Sequence, residues 1–325
     1  MKKPPFSLDG FLLAMLAAVA LALVWPGIGT SNGPLHLGVI TTWGVALVFF
    51  LHGAALSPQS LKAGVTNWRL HLFVQTSTYL LFPLLGGLLV WAGHGHIPAD
   101  VLLGVFFLCA LPSTISSSVA MTTMGKGNVA GAVFNASLSS LIGMVATPLL
   151  IGLMISTSGH AMPLGEAIRD IALQLLLPFT LGQALRPWLG GWLARHKPVV
   201  NKVDRAVIVL IVYTSFCDST AAGLWHDYAW WMLASILGVA ALLLASVLGI
   251  TIAASRALGF SRADEVAAVF CGSKKSLAAG IPMARLLFAG HPALGLIVLP
   301  VMCYHQLQLL VCTVLARRYA ARAEP

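Results

Sequence analysis

Of the 325 residues, 58% are hydrophobic and 9% are charged, too few polar side chains to cover a water-soluble globule. The formal net charge of +9 is not gathered into a basic soluble module, which excludes a nucleic-acid-binding protein and leaves the lysines and arginines to membrane loops. The chain therefore reads as an all-α polytopic membrane protein with the lipid bilayer as its immediate partner.

Apolar runs of about 20 residues cross a hydrocarbon core roughly 30 Å thick. In chain order they are predicted over residues 8–26, 38–56, 70–92, 101–123, 129–156, 164–186, 205–224, 229–254, 265–288 and 293–316. The first follows a basic start, "MKKPPFSLDGFLLAMLAAVALALVW", and resembles a signal peptide, but an uncleaved span keeps the loop-charge alternation intact whereas its removal would leave nine runs and break the symmetry between halves, so it is read as uncleaved. No connection is long enough for a soluble domain; the longest runs from Arg186 to Arg205.

Basic residues mark one side of the membrane. Lys2, Lys3, Lys62, Arg69, Lys126, Arg186, Arg195, Lys197, Lys202, Arg205, Arg256, Arg262, Arg317, Arg318 and Arg322 fall at alternate ends of these runs, fifteen of nineteen in all. The opposite loops carry no Lys or Arg apart from Arg169 near one of them. Both termini are thus expected in the cytoplasm, and the plasma (inner) membrane is the expected location. Three basic residues break the pattern, Lys274, Lys275 and Arg285, all in the ninth run. His36, His94, His96, His160, His226 and His291 scatter over five loops of the other side and read as solvated residues, so no metal site is expected. Cys109, Cys217, Cys271, Cys303 and Cys312 form no close pair and read as apolar fillers.

Ten runs divide into five and five, and an odd number per half requires the halves to be inserted upside down relative to each other, the inverted-repeat plan of many secondary transporters. "ATPLLIG" around Pro148 in the fifth run echoes "VLPVM" around Pro300 in the tenth. The fourth run carries "LPSTISSSVAMTTMGKGN", Leu111 to Asn128, and the ninth carries "FCGSKKSLAAGIPM", Phe270 to Met283. A proline followed by hydroxyl side chains that compete for backbone partners disfavours an unbroken helix. Unwound backbone at bilayer depth is tolerated where it is buried in protein or lines a wet cavity. The alternative is a kinked but continuous helix whose serines pack against neighbours.

A lysine at the bilayer centre costs about 2.5–3.5 kcal/mol on insertion scales, so it is a functional-site hypothesis by default. Lys274 and Lys275 point about 100° apart on a helix, and at least one of them should face the protein interior; if the break lies near the interface, both reach water. Helix ends at the break would suit ions and anionic solutes. Thr114, Ser116, Ser117, Ser118, Ser273 and Ser276 would supply hydroxyls there, and Asn135 and Ser139 on the fifth run could face the same place. A lysine can stand where a cation would hold carbonyl ends together, or lose its proton when desolvated. Asp218 in "YTSFCDSTAAG" is the one acid well inside a run, a candidate counter-charge, proton carrier or helix-end cap. Gln75 and His305, with Gln306, are candidate supporting partners. No hydrolase motif and no nucleotide-binding loop is present, which disfavours an enzyme or an ATP-driven pump, and no cofactor is expected.

The run "FCGSKKSLAAGIPMARLLFAGHPALGLIVLPVMCYHQLQ", Phe270 to Gln308, resembles the signature of the bile acid:sodium symporter superfamily, in its solute carrier family 10 member 7-like and bacterial YfeH-type branch. Further anchors are "WRLHLFVQTSTYLLFP" at Trp68 to Pro83, "LPSTISSSVA" at Leu111 to Ala120 and "IVYTSFCDS" at Ile211 to Ser219. The resemblance implies a bile acid:sodium symporter-like fold: ten transmembrane helices in two inverted five-helix repeats, with helices 4 and 9 broken and crossing. It implies one transporter unit over 1–325, a panel domain near 8–56 and 164–224, a core domain near 70–156 and 229–316, and a substrate cavity between them.

In the symporters the crossing holds two sodium ions through polar side chains that include a Glu and a Gln at the ninth helix. Here the Glu position matches Phe270, the Gln position Lys274, and an Asn of the fourth-helix motif Ser118. Losing a carboxylate at one position and gaining an ammonium at another beside the same pocket would repel sodium rather than coordinate it. The expectation is a secondary transporter of a small organic anion with lysine in place of at least one sodium. Cation/proton exchange, or regulation of ion homeostasis, and a non-transporting membrane regulator or scaffold are the competing functions. Animal members of the branch are associated with calcium regulation, so the resemblance leaves the substrate class open.

Overall fold

The computed structural model describes residues 10–55, 66–157, 172–223 and 230–321. Lys2, Lys3, Lys62, His160, Arg169, His226, Arg322 and the start of the sixth predicted run lie outside the described residues.

Helices account for the regular structure, and among the described residues there is no strand. In chain order, α1 spans Gly10–Val24 and is followed by a 3₁₀ turn at Pro26–Ile28; α2 spans Leu37–Ala55. Then α3 (Trp68–Thr76) passes through a π turn at Ser77–Leu81 into α4 (Phe82–Gly93), and α5 (Ala99–Ala110), α6 (Ile115–Met124) and α7 (Val129–Thr157) follow. A second π turn, Ala172–Leu176, leads into α8 (Leu177–Arg195); α9 is Lys197–Ala221 and α10 Trp230–Ala257. The last three are α11 (Arg262–Gly272), α12 (Leu277–Leu287) and α13 (Leu294–Ala321).

Among the described residues five helical segments are long and apolar enough to cross a bilayer: α2, the continuous α3–α4 segment, α7, α10 and α13. A sixth is the α5–α6 pair, bent by 58° at its break. The remaining helices fall short for chemical reasons. Lys197, Lys202, Asp204 and Arg205 occupy the first turns of α9, and α11 and α12 are eleven residues each, separated by Ser273–Ser276.

Local chemistry sets several ends. Asn67 caps α3 by accepting from the Leu70 N–H at 3.3 Å, and Ser261 caps α11 through the Asp264 N–H at 3.1 Å. Asp264 and Glu265 then place negative charge in the first turn of α11, complementing its dipole.

The chain divides into two compact units. The first comprises Met1–Ala55, Leu173–Ala229 and Ile281–Leu296. Within it α2 and α8 approach backbone to backbone at two glycines: a methyl group at Gly53 would run into the Phe179 carbonyl oxygen, and one at Gly182 into the Phe50 carbonyl oxygen. The second comprises Leu56–Ala172, Trp230–Gly280 and Ile297–Pro325. Leu70 and Val74 of α3, Ala132 of α7, and Ala267, Ala268 and Cys271 of α11 form a fully buried apolar cluster that fixes three helices together just before the α11 break. All five cysteines are free and buried.

Because the α2–α8 contact has no room for a side chain, Gly53→Val and Gly182→Val should each destabilise the protein by roughly 1–3 kcal/mol. Thermal unfolding in detergent is the check, with Gly87→Val, where a Cβ meets nothing within 4 Å, as the control that should stay close to the parent.

Candidate functional site

The site begins with a carbonyl left over by a proline. At the π turn between α3 and α4 the Phe82 N–H bonds the Ser77 carbonyl, five residues back. The next bond in that register would run from residue 83 to the Thr78 carbonyl, but residue 83 is proline and has no N–H. Thr78 therefore presents an open carbonyl inside the second unit, and the Lys275 ammonium donates to it at 3.0 Å.

The end of α5 is accounted for oxygen by oxygen, as buried backbone requires. Pro112 stops the helix, and Leu111 and Thr114 are extended. The Leu108 carbonyl accepts from the Leu111 N–H and the Ala110 carbonyl from the Thr147 hydroxyl at 2.8 Å. Cys109 and Leu111 turn their carbonyls to Lys275 Nζ, at 2.7 and 2.6 Å. The Pro112 carbonyl accepts from the Ser276 N–H at 2.9 Å.

The end of α11 is satisfied reciprocally. Its last carbonyls accept from hydroxyls: Phe270 from Ser118 at 3.3 Å, Cys271 from Ser113 at 2.7 Å and Gly272 from Ser77 at 2.8 Å. Ser273 gives its own hydroxyl to Val269 and its carbonyl receives Tyr304 Oη at 2.7 Å. Gln308 clamps the Lys275 peptide on both sides, accepting from its N–H at 2.9 Å and donating to its carbonyl at 2.9 Å. Ser276 caps α12 by accepting from the Ala279 N–H at 3.1 Å. Two broken helices thus meet at residues 111–114 and 273–276, each supplying donors for the carbonyls the other exposes.

The two lysines differ sharply in this setting. Lys275 is 1% exposed and spends all three N–H bonds on the Thr78, Cys109 and Leu111 carbonyls, with the Phe82 ring centroid 4.0 Å from Nζ. Lys274, equally buried, has a single hydrogen-bond partner among the described residues, the Ser117 carbonyl at 3.0 Å, and lies 5.9 Å from the Phe270 ring centroid. Beside it Thr114 and Ser117 share a hydroxyl–hydroxyl bond of 2.5 Å, and Ser116 is exposed.

Other expected residues fall into place around this crossing or away from it. Ser139 accepts from the Ser113 N–H at 2.9 Å and is bonded by Tyr79, so it supports the α5–α6 break directly. One turn away Gln75 Nε2 donates to the Asn135 carbonyl at 3.2 Å and to its Oδ1 at 3.3 Å, and Gln75 Oε1 is buried without a donor among the described residues. His305 lies 2.9 Å from Gln308, which in turn holds the Lys275 peptide. Asp218 belongs to the first unit, where its carboxylate accepts from the Ser31 N–H at 2.8 Å and the Ser31 hydroxyl at 2.5 Å, while Arg285 donates to that hydroxyl at 2.9 Å. Asp218 is thus a counter-charge for Arg285, and the lysines take neutral oxygens.

Sequence reasoning missed Ser77, Thr78, Tyr304 and Gln308, and pointed to Gln306 where Gln308 does the work. The spacing of Tyr304 and Gln308, four residues apart on one face of α13, was the available signal.

With this geometry in hand, comparison with known proteins gives a single answer. The model of the SBF-like CPA transporter family matches residues 9–321. Among curated relatives, uncharacterized protein PA2026 of Pseudomonas aeruginosa is 47% identical over 100% of this chain and 96% of its own length. The putative symporter YfeH of Escherichia coli is 46% identical over 98% and 94%. Sodium/bile acid cotransporter 7 of the rat is 33% identical over 94% and 91%.

Removing Lys275 strands three buried carbonyls, each costing about 1–3 kcal/mol, so Lys275→Ala should lose roughly 3 kcal/mol or more in stability. Lys274→Ala, which removes one such bond, should lose roughly 1 kcal/mol. Equal losses for the two variants in detergent-solubilised unfolding would contradict the difference in their partners.

Proposed function

Because the chain belongs to the SBF-like CPA transporter family, in the YfeH and solute carrier family 10 member 7 branch of the bile acid:sodium symporter superfamily, we propose that it is a secondary-active carrier of a small organic anion in which Lys275 takes the place of a coupling cation. It is a multi-pass membrane protein and a symporter-like transporter, not an enzyme. The observation that carries the finer reading is the set of three backbone oxygens at 2.6–3.0 Å around Lys275 Nζ. Carbonyls at unwound helix ends are the groups with which secondary transporters hold sodium. A tethered ammonium supplies the same positive charge to the same kind of oxygen.

Lys274 then has the other task. Two of its three N–H donors have no protein acceptor among the described residues, and its one partner, Ser117, lies at the start of α6, where its hydroxyl is bonded to that of Thr114. A carboxylate is the complementary ligand: it accepts two hydrogen bonds from cationic donors and gains from the partial positive charge of a helix N-terminus. Ser113, Ser118, Ser273 and Ser276 are engaged in capping the breaks and serve the ligand only by holding that frame.

The breaks at 111–114 and 273–276 fall in the fourth and ninth apolar runs, which supports ten crossings arranged as two inverted halves of five. We assign the panel to the Met1–Ala55 and Leu173–Ala229 parts of the first compact unit, the core, with its crossing, to the second unit together with Ile281–Leu296, and alternating access to a change in the arrangement of panel and core. The basic-loop pattern supports cytoplasmic termini, and the reading is of a carrier in the plasma (inner) membrane.

The test is ligand-dependent thermal stabilisation across a panel of mono- and dicarboxylates, followed by uptake into proteoliposomes of whichever anion stabilises. Uptake should be unchanged when sodium is replaced by choline, and Lys274→Ala should abolish the anion-induced shift in melting temperature. Strong sodium dependence that survives both Lys274→Ala and Lys275→Ala would sink the proposal; stabilisation by cations alone would favour exchange.

A further inference from the structure

Within the first unit an open groove of about 740 Å³ runs between α1 and α9. On the α1 side its surface is made by Gly10, Phe11, Ala14, Ala17, Ala18 and Leu21, the three alanines forming a recessed strip between the Phe11 and Leu21 side chains. On the α9 side it is a single stripe, Lys202, Arg205, Ala206, Val209, Leu210 and Tyr213, at the spacing of one helix face. Eleven residues separate Lys202 from Tyr213, about 16 Å at the helical rise and so about half the hydrocarbon thickness.

Charge is confined to one end of that length. Lys202 and Arg205 are both exposed, and the Arg205 guanidinium stands 5.3 Å from the Phe11 ring centroid. The acid between them in sequence, Asp204, is half-buried with its Oδ1 3.3 Å from His52 Nε2. From the basic pair onward the wall is apolar as far as Tyr213.

We propose that this groove seats one anionic phospholipid, its phosphate at Lys202 and Arg205 and an acyl chain along the alanine strip. Basic pockets between transmembrane helices are suited to anionic headgroups, and each nearby Lys or Arg adds to the attraction. A soluble anion would leave the long apolar wall unused, and a zwitterionic lipid would gain nothing net from the two cations. The groove spans one leaflet, which matches a chain entering from the side of the basic loops. The inference stands apart from the organic-anion reading, since it uses neither lysine of the crossing.

The experiment is native mass spectrometry of the full chain titrated with phosphatidylglycerol or phosphatidylcholine of identical acyl chains. The parent should retain phosphatidylglycerol in preference. Lys202→Gln/Arg205→Gln should lower that preference roughly tenfold or more, and Ala17→Phe/Ala206→Phe, which fills the groove and keeps the charge, should lower it as well. Melting temperatures identify any variant that fails to fold, and a second pair, Lys202→Ala/Arg205→Ala and Ala14→Leu/Val209→Phe, then takes its place. Equal retention of the two lipids by the parent would overturn the proposal. So would undiminished phosphatidylglycerol binding by the filled groove, which would reduce the effect to surface attraction. Efficient disulfide cross-linking of Ala17→Cys between copies in membranes would overturn it too, by giving the groove to a second copy of the chain.

Discussion

Backbone carbonyls that lose their helical partners in a place without water must find other donors, and this constraint organises the second unit. Three such oxygens, from Thr78, Cys109 and Leu111, arise from two prolines: Pro83 denies a donor to the π turn, and Pro112 stops α5. One ammonium closes all three. The hydroxyls of Ser77, Ser113 and Ser118 do the same for the end of α11. Remove the lysine and α3–α4, α5 and the α11–α12 break lose the group that joins them; remove either proline and the lysine loses part of its reason to be buried.

A tethered cation differs from a diffusible one in a way that bears on transport. Sodium can leave when the crossing meets the other side of the membrane, and its gradient supplies the driving force. The Lys275 ammonium cannot dissociate from the chain, so in the function proposed above it provides the structural half of sodium's role without the energetic half. Net work would then have to come from the solute's own gradient or from protons. Gln308 reinforces the structural half by holding the Lys275 peptide at both its N–H and its carbonyl, which fixes the direction in which the side chain leaves the backbone.

Much of this was legible in the chain. Apolar run length and the basic-loop alternation located helices close to where they lie: the predicted 129–156 and 293–316 are α7 (Val129–Thr157) and α13 (Leu294–Ala321). Pro112 and the neighbouring serines announced one break, and the small polar run at Gly272 to Ser276 announced the other. Hydropathy could not see the partners of the break. Thr78 contributes through its carbonyl, which every residue has, and its availability follows from a π register that only the fold reveals. Asp218 was legible as an acid needing a partner, but the partner, Arg285, is 67 residues away and reached through Ser31. The serines looked like a lining for solute because hydroxyl content is all the sequence exposes; the structure commits Ser113 and Ser118 to carbonyls and leaves the start of α6 for Ser116 and Ser117.

The adjacency of the two lysines follows from the same geometry. Between α11 and α12 the chain is unwound, so neighbouring side chains leave the backbone in different directions without a helix face to share. The direction of Lys275 is set by the Gln308 clamp and ends among carbonyls. That fixes its neighbour toward α6, where the Ser117 carbonyl supplies one partner for three donors. A second fully coordinated ammonium would need a second set of stranded carbonyls, and the hydroxyls have already taken those of α11. Among the described residues Lys274 is thereby left under-coordinated by the very completeness of the frame that Lys275 holds together.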